Sequence, residues 1–157
     1  MAGRIEARLK ELGIVLPTPP APVATYVPFV VSGKLVFISG QVPMVDGRIA
    51  FSGKCGGATG VPVERAAEAA RTCFINVLAQ LKVAAGGDLD RVARLVQLRG
   101  FVACTADFVD QPKVINGASD LAVAVFGDAG RHARAAVGVP SLPGDSTAEV
   151  EAVAELA

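Results

Sequence analysis

Arg134, at the start of "RAAVGV", and Glu149, near the start of "AEVEAVAEL", are the residues best suited to chemistry on a small acid. A guanidinium grips a carboxylate through two parallel hydrogen bonds, a fork that lysine lacks. A carboxyl group near the bound acid can orient or activate water. Two-residue alternation puts Arg134, Ala136 and Gly138 on one face of their strand, so the arginine shares that face with very small side chains. In the next strand Ala148, Val150, Ala152, Ala154 and Leu156 form an apolar face, and Glu149, Glu151 and Glu155 lie opposite. Spacing by itself favours a plainer account: a core strand with a solvated acidic face, and an arginine held in an ion pair. "SGQVP" offers Ser39 and Gly40 at a strand end, where a hydroxyl and backbone N–H groups can meet an anion. An ordinary strand exit looks the same.

Other chemistries find less support. Cys55, Cys73 and Cys104 are odd in number, widely spaced and outside any CxxC, which points to a reducing compartment and no disulfide framework. Cys73 and Cys104 fall in apolar patterns and read as small core residues. His132 is the single histidine and has no neighbour at metal-ligand spacing, so no metal is expected. "GKCGGATG" matches neither nucleotide-binding glycine pattern and reads as a loop.

The elements that must position these residues follow from periodicity. Ile5, Leu9 and Leu12 mark a short N-terminal helix, and "PTPPAP" follows as a stiff connector, together spanning residues 1–24. Residues 25–157 then form the core of one domain spanning 1–157. "TYVPFVV" and "LVFISG" read as a hairpin around Ser32-Gly33-Lys34, with Pro28 keeping the first strand at an edge. Residues 42–60 read as loops with a short strand. Ala66, Ala70, Phe74, Val77 and Leu81 stripe a long helix from about Val63, stopped by Gly86-Gly87. "RLVQLRGFVACT" is a strand. A second helix spans Gln111 to Phe126, with Asp110 as its cap. The last two strands read as a hairpin closed by a type II turn at Leu142-Pro143-Gly144-Asp145. Such a hairpin sets Glu149 opposite Gly138, about 13 Å along the strand from Arg134. A ligand or a cleft shared between subunits would have to bridge that gap.

This order suits an α+β domain: a mixed sheet covered on one face by two helices, its other face in need of a partner. Composition agrees, because 52% hydrophobic and 19% charged residues leave apolar surface to hide. No apolar run is long enough to span a bilayer, and "MAGRIEARLKEL" lacks a signal-peptide core, so a cytoplasmic homo-oligomer without membrane contact is expected. Fifteen basic and fifteen acidic residues cancel, which argues against a nucleic-acid partner.

"TYVPFVVSGKLVFISGQVP", "GDLDRVARLVQLRGFVA" and "ARAAVGVPSLP" followed by "EVEAVA" resemble the Rid family. This is the reactive intermediate deaminase family, also called YjgF or endoribonuclease L-PSP. The resemblance covers about Tyr26 to Glu155 and is closest to a divergent YjgF-like branch. It implies a chorismate-mutase-like fold in a homotrimer, with a central barrel and clefts between subunits. It further implies hydrolysis of enamine or imine intermediates to 2-keto acids and ammonia, without a cofactor. Arg134 matches the family's carboxylate-binding arginine and Glu149 its water-positioning glutamate. Tyr26, Ser39 and Gly40 match pocket residues, and backbone groups near Ala136 would bind the imine end. Ala106 stands where archetypes have asparagine, which alters the polar lining. A non-catalytic trimer binding small carboxylates, or an endoribonuclease or chorismate mutase on the same trimer, are the alternatives.

Overall fold

The computed structural model describes residues 3–19 and 25–157; the far end of the proline-rich connector lies outside them. Helix α1 (Arg4–Glu11) is followed by strands β1 (Phe29–Ser32) and β2 (Leu35–Gln41). A small ribbon of β3 (Met44–Val45) and β4 (Arg48–Ile49) precedes helix α2 (Val63–Ala84). Strand β5 (Val92–Ala103), helix α3 (Gln111–Phe126), and strands β6 (Ala133–Val139) and β7 (Ala148–Leu156) complete the chain.

The main sheet runs β1-β2-β7-β5-β6, and only the β5–β6 pair is parallel. This is the expected mixed α+β arrangement. Along β7, Ala148, Val150, Ala152, Ala154 and Leu156 are buried, alternating with half-buried residues. Helices α2 and α3 cover that face with Ala66, Ala70, Phe74, Val77 and Leu81 of α2 and Val114, Ile115 and Ala118 of α3. Small residues let the two helices approach closely, since a Cβ at Gly117 would overlap the Ala67 carbonyl. Helix α1 has no side-chain cap of its own. Asp90 supplies one, accepting the Arg4 and Ile5 N–H groups at 2.7 and 2.8 Å. Those bonds hold its carboxyl below the usual range.

Three local expectations need correction. The last two strands do not pair with each other, because β5 lies between them. With a fully buried face and partners on both sides, β7 is a central strand; β6, rich in Ala and Gly and mostly exposed, is an edge strand. The connecting segment is carried across β5 by the loop before α2: Thr147 N–H donates to Phe51 O and Gly53 N–H to Asp145 O. The turn also closes one residue later than expected. Ser146 N–H donates to Pro143 O, and Gly144 and Asp145 occupy the left-handed positions at φ 63° and 56°. Finally, Asp110 precedes α3, but its carboxylate pairs with Lys113 at 3.0 Å and caps no backbone N–H.

The uncovered face of the sheet is apolar in part. Val30, Phe37 and Val137 on it are 52%, 46% and 46% exposed, apolar side chains left facing solvent in a lone chain. No described helix is long and apolar enough to cross a membrane.

Candidate functional site

The register assigns each charged residue to a face. Glu149 pairs with Phe101, which pairs with Val137, and this row lies on the uncovered face. Arg134 pairs with Leu98, which pairs with Ala152; Leu98 and Ala152 are buried beneath the helices. The two residues therefore sit on opposite faces of one sheet. Their backbones are two strands and three residues apart, roughly 14 Å. The structure does not bring them together within one chain.

Beside Glu149 the structure places one of the sequence matches, Gly40. Strand β2 is bulged between Ile38 and Gln41, where it runs beside β7. Gly40 falls in this bulge, and a Cβ there would overlap Glu149 Oε1. Glycine is needed for space. Ser39 Oγ donates to Val27 O at 2.7 Å, and Ser39 N–H donates to Pro28 O. These bonds tie the exposed Tyr26 segment to the same end of β2. Burial first, and the Glu151 charge second, push the Glu149 carboxyl above its ordinary range. Glu151 has its own cation: Arg99 Nε lies 2.6 Å from its carboxylate across the β5–β7 pair. Among the described residues no cation pairs with Glu149. Phe37, Ser39, Gln97, Arg99, Glu151 and Val153 line a shallow concavity of about 240 Å³ on this face.

Arg134 belongs to a second cluster, at the seam between β6 and α3. Its Nη1 donates to Asn116 Oδ1 at 2.8 Å and to Ser119 Oγ at 3.2 Å. Ser119 Oγ in turn lies 2.9 Å from His132 Nε2, and His132 Nδ1 lies 2.6 Å from Gly130 O. Ala136, two residues along the same face of β6, is half-buried. Sequence reasoning missed Asn116 and Ser119. Their spacing of three on an expected helix was the available signal, since it puts both on one helix face. Ala106 is exposed just after β5 and adds no polar group there.

The cysteines and acidic groups are occupied otherwise. Cys55, Cys73 and Cys104 are free and buried. Cys55 and Cys104 are bridge partners, and burial with the nearby Cys104 raises the Cys55 thiol to about 11. Burial also pushes the Cys73 thiol well up. Glu6, Asp88 and Asp90 cluster near α1, but Asp90 caps that helix, Asp88 accepts the Asp90 N–H, and Glu6 pairs with Lys82 at 3.3 Å.

Residues 6–156 match the family described as "YjgF/chorismate_mutase-like, putative endoribonuclease". Protein TCP17 of Trypanosoma cruzi is 46% identical over 156 residues, 99% of this chain and 96% of the relative. A crystal structure of an Agrobacterium tumefaciens protein of unknown function superposes with a TM-score of 0.90 at 49% identity, covering 98% of this chain and 92% of that one. E. coli TdcF, crystallised with bound serine, superposes with a TM-score of 0.62 at 26% identity, covering 89% and 94%.

Proposed function

The chain belongs to the YjgF/chorismate-mutase-like family, and from that premise we propose that it is a Rid-type deaminase. It hydrolyses 2-imino acids, or a related small carboxylate, to 2-keto acids and ammonia. The observation that carries this reading is the division of the matched residues into two incomplete halves. Ser39, Gly40 and Glu149, with the Tyr26 segment, form one half; Arg134 and Ala136 form the other. In the homotrimer proposed for this chain, the first half of one subunit would be completed by the second half of the next. The bound serine in TdcF supports a ligand of this size and charge.

The chemistry balances without a further reactant. Arg134 holds the substrate carboxylate, and strand backbone near Ala136 meets the imine nitrogen. Gripping the carboxylate fixes the imine carbon, so attack by water becomes effectively intramolecular. Glu149, without a cationic partner among the described residues and with its carboxyl pushed up, accepts a proton from the attacking water and passes it to the nitrogen. A C–O bond forms as the C=N double bond becomes single. The C–N bond then breaks as the hydroxyl proton of this carbinolamine passes to the nitrogen, and the products are the 2-keto acid and ammonia.

The test generates 2-imino acids in situ with an amino-acid oxidase and traps surviving imine with semicarbazide. The wild-type protein should lower trapped imine. Glu149→Gln should keep binding pyruvate while hydrolysis falls by about 10²-fold or more. Arg134→Lys should weaken pyruvate binding by about 10- to 150-fold. Pyruvate binding with no turnover in any variant would favour a non-catalytic carboxylate-binding trimer. Unchanged binding in Arg134→Lys would refute the site.

A further inference from the structure

We propose that Asn116 and Ser119 of α3 are positioning residues that select which edge of Arg134 meets the substrate carboxylate. The inference rests on the carboxylate-binding reading of Arg134. Hydrogen-bond polarity along the cluster is met by the Nδ1–H tautomer of His132. The Gly130 carbonyl can only accept, so His132 Nδ1 carries a proton, and in that tautomer Nε2 is left to accept. Ser119 then donates its hydroxyl proton to Nε2, leaving Oγ lone pairs to accept from Arg134 Nη1. Asn116 Oδ1 accepts from the same nitrogen.

Nη1 carries two protons, and these two acceptors take both. The end-on fork formed by Nη1 and Nη2 is therefore lost to a ligand. What remains is the side-on fork, Nε–H with Nη2–H, and among the described residues neither atom has a partner. Because the guanidinium is planar, anchoring Nη1 fixes the plane and direction of that fork. A carboxylate bound there is held in the same plane, which suits the flat skeleton of a 2-imino or 2-keto acid. His132 acts at one remove, by keeping the Ser119 hydroxyl turned away from Arg134.

The experiment measures the pyruvate Kd, and the kcat and KM for in situ imines, in Asn116→Ala, Ser119→Ala, Ser119→Thr and Arg134→Lys. Freeing the arginine should raise the pyruvate Kd and the KM by roughly 3- to 10-fold in each alanine variant. The alanine variants leave the Nε–Nη2 fork itself intact once a carboxylate is seated in it, so the loss should fall on Kd and KM and kcat should stay within about 2-fold. Ser119→Thr, which keeps the hydroxyl, should restore wild-type affinity. Asn116 is exposed and Ser119 half-buried, so melting temperatures should move by no more than about 2 °C. Wild-type Kd in both alanine variants, alongside weak binding in Arg134→Lys, overturns this inference and leaves the functional reading standing. Wild-type Kd in Arg134→Lys, or no pyruvate binding by wild type, overturns both. Affinity lost together with thermal stability in Ser119→Ala, and not restored by Ser119→Thr, reduces the cluster to a structural contact.

Discussion

Gly40→Ala adds one methyl group at the most crowded point beside Glu149. The new Cβ would overlap Oε1 and lie 2.9 Å from Cδ and 3.2 Å from Cγ of that glutamate. Ordinary carbon contacts are about 3.5–4.0 Å, so the carboxyl group must retreat by about 1 Å. The obstacle is the flexible end of a side chain, which places the stability cost toward the lower end of the roughly 1–3 kcal/mol typical of overpacking. In the water-positioning role proposed for Glu149, a displacement of about 1 Å costs on the order of 10²-fold in rate. Gly40→Ala should therefore melt only a few degrees below wild type, by circular dichroism, while imine hydrolysis nearly disappears. The effect must also be non-additive: in a Glu149→Gln background the extra methyl should slow hydrolysis by less than about 3-fold. Wild-type turnover in Gly40→Ala, or losses that multiply in the double variant, would show that the contact does not govern the reaction.

Three further outcomes follow from the same geometry. Light scattering should give a particle of three times 16.0 kDa, and Phe37→Asp on the uncovered face should dissociate it; a monomeric wild type would remove the shared site. With its thiol at about 11, Cys55 is ionised in only about one molecule in 10⁴ at pH 7, so native protein should resist alkylation there. Cys55→Ser and Cys104→Ala should retain hydrolysis within a few-fold, and its loss in folded protein would point to a thiol mechanism. Because folding raises the Glu149 carboxyl, its contribution favours the fold below the unfolded carboxylate range and is lost as pH rises through the raised value. Glu149→Gln, uncharged throughout, should gain thermal stability over wild type at pH 8 and little at pH 4, whereas an equal gain at both would contradict the shift.

Much of the fold was legible because it is local. The apolar stripe of α2 recurs over 22 residues and ends at two glycines with φ of 72° and 93°, a pattern that physics allows one reading. The β1–β2 hairpin was visible for the same reason. The pairing of β6 was not, because adjacent strands are expected to neighbour each other and nothing local announces that β5 will come between them. The site shows the same divide. Arg134 and Glu149 stood out as charges in apolar strands, and the face of each followed from alternation. That the two faces are opposite depends on the registers of β5 with β6 and β7, which only the assembled sheet provides. The bonds from Asn116 and Ser119 to Arg134 depend likewise on how α3 docks against β6.

That opposition has a consequence for assembly. Strand parity cannot be relaxed: slipping β7 by one residue would turn Ala148, Val150 and Ala152 outward and press Glu149 and Glu151 against the helices. Burying those charges unpaired would cost far more than a binding site could return. Within one chain the arginine and the glutamate are thus locked apart, and a ligand touching both must lie between two chains. Mixing therefore offers a test that neither residue gives alone. Arg134→Lys chains keep Glu149, and Glu149→Gln chains keep Arg134, so a junction with the right partner on each side is wild type. In trimers reassembled at random from equal amounts, about one junction in four meets that condition. At limiting imine, two preparations that are each strongly impaired should recover about a quarter of wild-type hydrolysis after co-refolding, and no more than their separate residual rates when merely mixed without subunit exchange. Failure to recover activity in verified mixed trimers would mean that the two residues do not share a site across the interface.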